Sequence, residues 1–180
     1  MLRTTFQRIQ RHSFHTTISR HIKAGEPLPS VEVHLSSPAE TTNVYELFKP
    51  IKKGILITVP GAFTPGCSKT HVPGYIQESS RLAAEKNVDL IACVSVNDAF
   101  VMNAWGKDLK IDKEVTLLAD PTGTFTKAME LDVDLSKALG NHRSKRSASI
   151  IENGIVKHHF VEPDNTGLDV SLIKNVEKYL

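Results

Sequence analysis

Cys67 is the residue whose type and setting point most directly to chemistry. It sits in Pro60-Gly61-Ala62-Phe63-Thr64-Pro65-Gly66-Cys67-Ser68-Lys69-Thr70-His71, a Gly/Pro-rich stretch between an apolar run and a helical pattern. A cysteine in the first turn of a helix lies beside unpaired backbone N–H groups and the positive end of the helix dipole. Both favour thiolate over thiol, and the thiolate is the nucleophile. Thr64, three residues earlier, can bring its hydroxyl to the sulfur and to an incoming oxygen. Pro60 has no N–H and stiffens the loop that shields the sulfur. A distant arginine would complete such a site by stabilising the anion and polarising an oxygen. Arg143 and Arg146 are both placed to supply it. The competing assignment is a buried structural cysteine, but core cysteines belong more often to regular elements than to Gly/Pro loops.

The second cysteine, Cys93, lies in the apolar run Leu90-Ile91-Ala92-Cys93-Val94 and reads as buried. Two cysteines are too few for a disulfide framework. There is no C-x-x-C, and the Cys and His spacings are not those of a zinc site. No motif for a metal, haem or nucleotide is present, so no cofactor is expected.

The elements that must position Cys67 follow from periodicity. Val31–Leu35 alternates as a short strand, and Ser36–Asn43 is turn-like. Gly54–Val59 is a continuous β-branched run, as expected of a fully buried central strand. Pro60–Pro73 reads as irregular, and Gly74–Lys86 as a helix. Val88–Val96 is a second buried strand. Asp98–Leu109 is a helix with Phe100, Val101, Ala104 and Trp105 facing inward. Val115–Ala119 is a third strand, followed by a turn at Asp120–Gly123 and a helix over Phe125–Leu131. Lys145–Ile151 and Ile155–Val161 form a hairpin about Asn153-Gly154, and Leu168–Leu180 reads as a closing helix. The alternation predicts an α/β fold with a mixed β-sheet flanked by helices.

Charge divides the 180 residues into two parts. Arg3, Arg8, Arg11, Arg20 and Lys23 precede the first acid, Glu26; the remainder holds 17 basic against 20 acidic residues, a net charge of about −3. An acid-free tail rich in Arg, Ser and Thr, with Leu2, Phe6 and Ile9 on one helical face, reads as a mitochondrial targeting peptide. A basic arm that binds an acidic partner is the alternative. Residues 1–25 are assigned to the tail and 26–180 to one domain, with a matrix location. The body has no basic stripe for nucleic acid. No apolar run reaches the roughly 18–20 residues that span a bilayer, so no membrane is implied.

Pro60-x-x-x-Thr64-x-x-Cys67 resembles the peroxiredoxin active-site signature. The longer string Val59 to Gly74 is similar to the peroxiredoxin 5, or type II, group. The resemblance continues through Cys93-Val-Ser-Val-Asn-Asp-Ala-Phe-Val101, Leu118-Ala-Asp-Pro-Thr-Gly123 and Val161-Glu-Pro-Asp-Asn-Thr-Gly-Leu168. It implies a thioredoxin-like fold and reduction of hydrogen peroxide and organic hydroperoxides. It maps Pro60, Thr64, Cys67 and Arg146 onto the catalytic positions, and makes Arg143 the weaker choice. His71 matches a histidine near the pocket and is not assigned as an acid–base catalyst. The resemblance also suggests a homodimer packed around the active-site end, with Phe63 and Phe100 as candidates for its apolar rim. Animal members carry a resolving cysteine where this chain has Val170; some plant members use one at the position of Cys93. A one-cysteine cycle reset by glutathione, glutaredoxin or thioredoxin is therefore expected, with a peroxide sensor that relays oxidation to a partner protein as the alternative.

Overall fold

A computed structural model describes Ile22 and residues 24–180. The targeting reading of the tail lies otherwise outside the described residues. The elements run β1 (Glu32–His34), β2 (Thr41–Asn43), α1 (Val44–Phe48), β3 (Gly54–Val59), a π-helical turn (Cys67–His71) continuing into α2 (Val72–Lys86), β4 (Leu90–Ser95), α3 (Ala99–Asp108) and β5 (Thr116–Ala119). Then come α4 (Thr124–Ala128), β6 (Asp132–Asp134), α5 (Ser136–Leu139), β7 (His142–Ser144), β8 (Ser147–Glu152), β9 (Ile155–Val161) and α6 (Ile173–Val176), with a 3-10 turn at Glu177–Tyr179.

Seven strands form one mixed sheet in the order β2-β1-β5-β4-β3-β8-β9, and β6 and β7 pair separately. The central strand β3 is buried throughout. It runs parallel to β4 and antiparallel to β8, so Ile57 lies between Cys93 and Ala148. The two-residue period of strands sorts these side chains onto two faces. Ile55, Ile57 and Val59 join Ile91, Cys93, Ala148 and Ile150 in one core cluster, which α2 and α3 cover through Tyr75, Leu82, Met102 and Trp105. Leu56, Ala92, Val94 and Ile151 join the other, covered by Phe48 of α1 and by Phe125 and Met129 in and beside α4. Burial on both faces explains why β3 and β4 read as unbroken apolar runs rather than alternating ones. The hairpin turns where expected, with Asn153 (φ 51°) and Gly154 (φ 78°) both left-handed, as a two-residue turn matched to strand twist requires.

Several expectations need correction. The Pro60–Pro73 stretch is not irregular to its end, because helix has begun before Cys67 and continues through Pro73. Pro73 has no N–H to donate, and the wider π turn just before it, where Val72 N–H bonds to Cys67 O, absorbs the change of register. In α3 the inward residues are Ala99, Met102, Trp105 and Gly106. Ala104 is exposed, and Phe100 is 67% exposed. Asp98 caps this helix through Val101 N–H and so sets its phase. The helix over Phe125–Leu131 ends at Ala128, and Glu130 has φ 57°. The closing helix over Leu168–Leu180 shrinks to α6 and the 3-10 turn. Upstream of it, Asp164 Oδ1 accepts from Thr166 and Gly167 N–H, and Glu162 Oε1 from Asp169 and Ser171 N–H. Those carboxylates compete with helical bonding and hold the chain in turns.

The folded unit also starts earlier than residue 26. Gly25 N–H bonds to Val156 O and Val156 N–H to Glu26 O, so this segment lies along β9. Ile22 packs against the second core cluster.

Candidate active site

The parallel pair β3–β4 ends where the Pro60 loop departs, which places that loop and the start of the long helix above one end of the sheet. Pro60 is buried at the exit of β3, Thr64 half-buried, and Cys67 fully buried at the start of the helical run. Trp105 of α3 donates from Nε1 to Ser68 Oγ at 2.9 Å and ties the helix start to the neighbouring helix.

Arg146 arrives from the opposite side, at the entry to β8. It is 3% exposed. Its Nη1 donates to Cys67 Sγ at 3.3 Å and lies 3.4 Å from His71 Nδ1; its Nε donates to Thr166 O at 3.1 Å. Gly66 makes room for this approach, because a Cβ there would stand 2.9 Å from Arg146 Nη2. Arg143 points elsewhere, to Val96 O, Leu139 O, Asn97 Oδ1 and Asn141 Oδ1. The structure therefore brings Cys67 and Arg146 into contact and leaves Arg143 without a bond to the sulfur. Thr64 does not bond to the sulfur either: its hydroxyl donates to Gly61 O at 2.9 Å.

Residues that motif reading did not single out support this group. Ser171 O accepts from His71 Nε2 at 3.2 Å and from Tyr75 Oη at 2.7 Å. His71 is therefore the tautomer with hydrogen on Nε2, and its Nδ1 accepts from Arg146. Burial first, and the Arg146 charge second, push His71 down to about 3. The ring is neutral at physiological pH. Ser171 is held in turn by Glu162, which is 2% exposed and accepts from Ser171 Oγ–H, Ser171 N–H and Asp169 N–H. Burial pushes the Glu162 carboxyl up, but these hydrogen bonds outweigh it and hold it below its usual range.

A pH effect on stability follows from His71. Its folded value is below its unfolded one, so the unfolded chain takes up the proton first as pH falls. Stability is fully present above about 6.5 and is lost on the way down towards about 3. Between pH 6.5 and 5 the loss is expected to be about 2 kcal/mol, before the Glu162 window opens below the ordinary carboxyl range. Urea unfolding at pH 6.5, 5.75 and 5 measures it. His71→Gln should flatten that slope, and an equal slope in the variant would assign it to another group.

Cys93 faces the same core cluster as Cys67. It is fully buried in β4. Burial pushes its thiol well up, the neighbouring Cys67 adds to this, and Arg146 opposes it. Both cysteines are free thiols. Among the described residues no group of three His, Cys, Asp or Glu side chains gathers as a metal site. No helix among them is long and apolar enough to cross a membrane.

The mixed sheet thus offers a helix-start cysteine to a buried arginine. The Redoxin family profile matches residues 23–177. Over 162 residues the chain is 43% identical to the chloroplastic peroxiredoxin-2E of Arabidopsis thaliana, covering 86% of this chain and 68% of that one. The crystal structure of reduced Prx3 from Vibrio vulnificus in complex with hydrogen peroxide superposes with a TM-score of 0.81 at 44% identity, over 88% of this chain and 99% of that one. Peroxiredoxin 5 from Alvinella pompejana gives 0.76 at 37% identity, over 87% and 99%. The chain belongs to the peroxiredoxin family of thiol peroxidases and fits its type II, or peroxiredoxin 5, group.

Proposed function

We propose that Cys67 is the sulfur that attacks the peroxide O–O bond, and that the chain reduces hydrogen peroxide and organic hydroperoxides through a one-cysteine cycle. The 3.3 Å hydrogen bond from Arg146 Nη1 to Cys67 Sγ, inside a buried site, carries the reading. As thiolate, Cys67 attacks the terminal oxygen. The S–O bond forms, the O–O bond breaks, and its electron pair leaves on the alkoxide or hydroxide, which takes a proton to become alcohol or water. Cys67 is left as sulfenic acid. Arg146 Nη2 has no hydrogen-bond partner among the described residues and stands beside Gly66. It is the donor available to the leaving oxygen, where charge develops. Thr64 orients the substrate, and Pro60, buried at the end of β3, fixes the loop.

The reset uses an external thiol. Glutathione condenses with the sulfenic acid, releasing water and leaving a mixed disulfide. A second thiol, delivered by glutaredoxin, thioredoxin or glutathione itself, then releases the thiolate. The burial of Cys93 and its raised thiol argue against an internal partner, because bringing it to Cys67 requires opening β4 or the active-site helix. Cys93→Ser is expected to keep turnover with glutathione and glutaredoxin within about twofold of wild type. Steady-state peroxide consumption with each reductant tests this. A Cys67–Cys93 disulfide in the oxidised protein, together with loss of thioredoxin turnover in the serine variant, would install a two-cysteine cycle instead. Negligible turnover with every thiol would favour the sensor reading.

Phe63 and Phe100 are 52% and 67% exposed at the active-site end, which supports a homodimer covering them; a monomer-sized boundary in sedimentation velocity would discard it. The acid-free segment Met1 to Arg20 supports import into the mitochondrial matrix. Exclusion of the full chain from isolated, energised mitochondria would remove that assignment.

A further inference from the structure

The peptide unit joining Gly61 to Ala62 is held from both sides. Its N–H, on Ala62, donates to Asn97 Oδ1 at 3.0 Å. Its C=O, on Gly61, accepts the Thr64 hydroxyl at 2.9 Å. In a trans peptide these two groups point in opposite directions, so the residue that fixes one fixes the other. Asn97 lies in the turn between β4 and α3, and is itself fixed. Its Oδ1 also accepts from Ser95 Oγ at 2.7 Å and from Arg143 Nη1 at 3.2 Å. Arg143 is locked by Val96 O, Leu139 O and Asn141 Oδ1. Its guanidinium covers Gly61 so closely that a Cβ there would stand 3.0 Å from Nη1 and 3.4 Å from Thr64 Cγ2.

A threonine hydroxyl has one hydrogen and two lone pairs. With its hydrogen committed to Gly61 O, Thr64 Oγ1 can meet a substrate only as an acceptor. A hydroperoxide carries its proton on the terminal oxygen, the one that the sulfur attacks. We propose that Asn97, clamped by Arg143, is a positioning residue: by fixing the Gly61–Ala62 peptide it keeps the Thr64 hydrogen on Gly61 O, so that Thr64 Oγ1 receives the substrate O–H and holds the terminal oxygen for attack. This rests on the reading of Thr64 as the residue that orients the substrate. Freed from the clamp, the peptide can rotate and the hydroxyl can turn its own hydrogen towards the substrate. The orientation of the attacked oxygen is then lost while the sulfur and Arg146 stay in place.

The test compares two reactions of the same sulfur. Stopped-flow oxidation by hydrogen peroxide needs an oriented substrate, whereas alkylation by iodoacetamide does not need Thr64. Asn97→Ala is expected to slow oxidation about tenfold, the cost of one well-placed hydrogen bond, with alkylation within twofold of wild type. Asn97→Asp keeps the acceptor oxygen and should recover most of the oxidation rate. In a Thr64→Val background, Asn97→Ala should have no further effect on oxidation. Arg143→Met, which removes the clamp but leaves Asn97, should show the same peroxide-selective loss and serves if Asn97→Ala does not fold. If Thr64→Val slows oxidation while Asn97→Ala and Arg143→Met do not, the clamp is wrong and the Thr64 reading stands. Parallel losses in oxidation and alkylation would show a general structural effect and overturn the clamp. Full oxidation in Thr64→Val would remove the substrate-orienting role and the proposal with it.

Discussion

Cys67→Ser is expected to bring peroxide turnover below about 0.1% of wild type with every thiol donor. A serine hydroxyl at this position is not ionised near neutral pH and has none of the nucleophilicity of a thiolate. The substitution removes little else. Among the described residues Cys67 Sγ accepts its hydrogen bond from Arg146 Nη1, and a serine oxygen can accept it as well. The fold should therefore persist, with a circular dichroism spectrum like that of wild type and a melting temperature within a few degrees of it. Steady-state peroxide consumption, measured beside those melts, reads the effect. Retention of more than a few per cent of the rate in a folded variant would move the nucleophile elsewhere, and Cys93 would be the only other thiol.

Arg146→Ala should slow Cys67 oxidation by about 10²–10³-fold, the loss seen when a charged or oriented donor is removed from a developing oxyanion. The bonds to Cys67 Sγ, His71 Nδ1 and Thr166 O disappear together. Some loss of stability is expected as well, because Thr166 O and His71 Nδ1 lose their donor. Arg146→Lys separates the two effects. It keeps a positive charge but offers a point donor in place of a planar fork, and it should recover only part of the rate. Single-turnover stopped-flow oxidation at matched stability measures this. An unchanged rate in Arg146→Ala would remove Arg146 from the chemistry, and Arg143 is committed to Asn97, Val96, Leu139 and Asn141.

Much of the scaffold was legible because its signals are local. Gly54–Val59 and the run around Cys93 are continuous and apolar, which burial on both faces of a central strand demands. Asn153-Gly154 announces its own turn. Cys67 at a loop-to-helix junction was legible for the same reason. What was not legible depends on contacts between distant parts of the chain. Arg146 reaches Cys67 across 79 residues, and Ser171 reaches His71 across 100. No periodicity encodes either meeting. Composition and spacing left Arg143 and Arg146 equal, and only the resemblance favoured Arg146. Glu162 reads as an ordinary acid in a Pro-Asp-Asn turn, yet its carboxylate is buried and fixes the Asp169–Ser171 backbone. The same capture of N–H groups by Glu162 and Asp164 explains why the closing helix begins late. The phase of α3 is not legible in the apolar count, which favours Phe100, because the Asp98 cap turns that side chain outward. Asn97 carried no signal of its own beyond its place in the Cys93–Val101 string.

Cys67, and no other group, is proposed to take the oxygen from the peroxide. Reduced protein treated with one equivalent of hydrogen peroxide in the presence of dimedone, then digested and analysed by mass spectrometry, tests it most directly. One dimedone adduct is expected, on the peptide containing Cys67, with Cys93 recovered as a free thiol. Peroxide consumed while Cys67 is recovered unmodified, or an adduct formed first on Cys93, would contradict it.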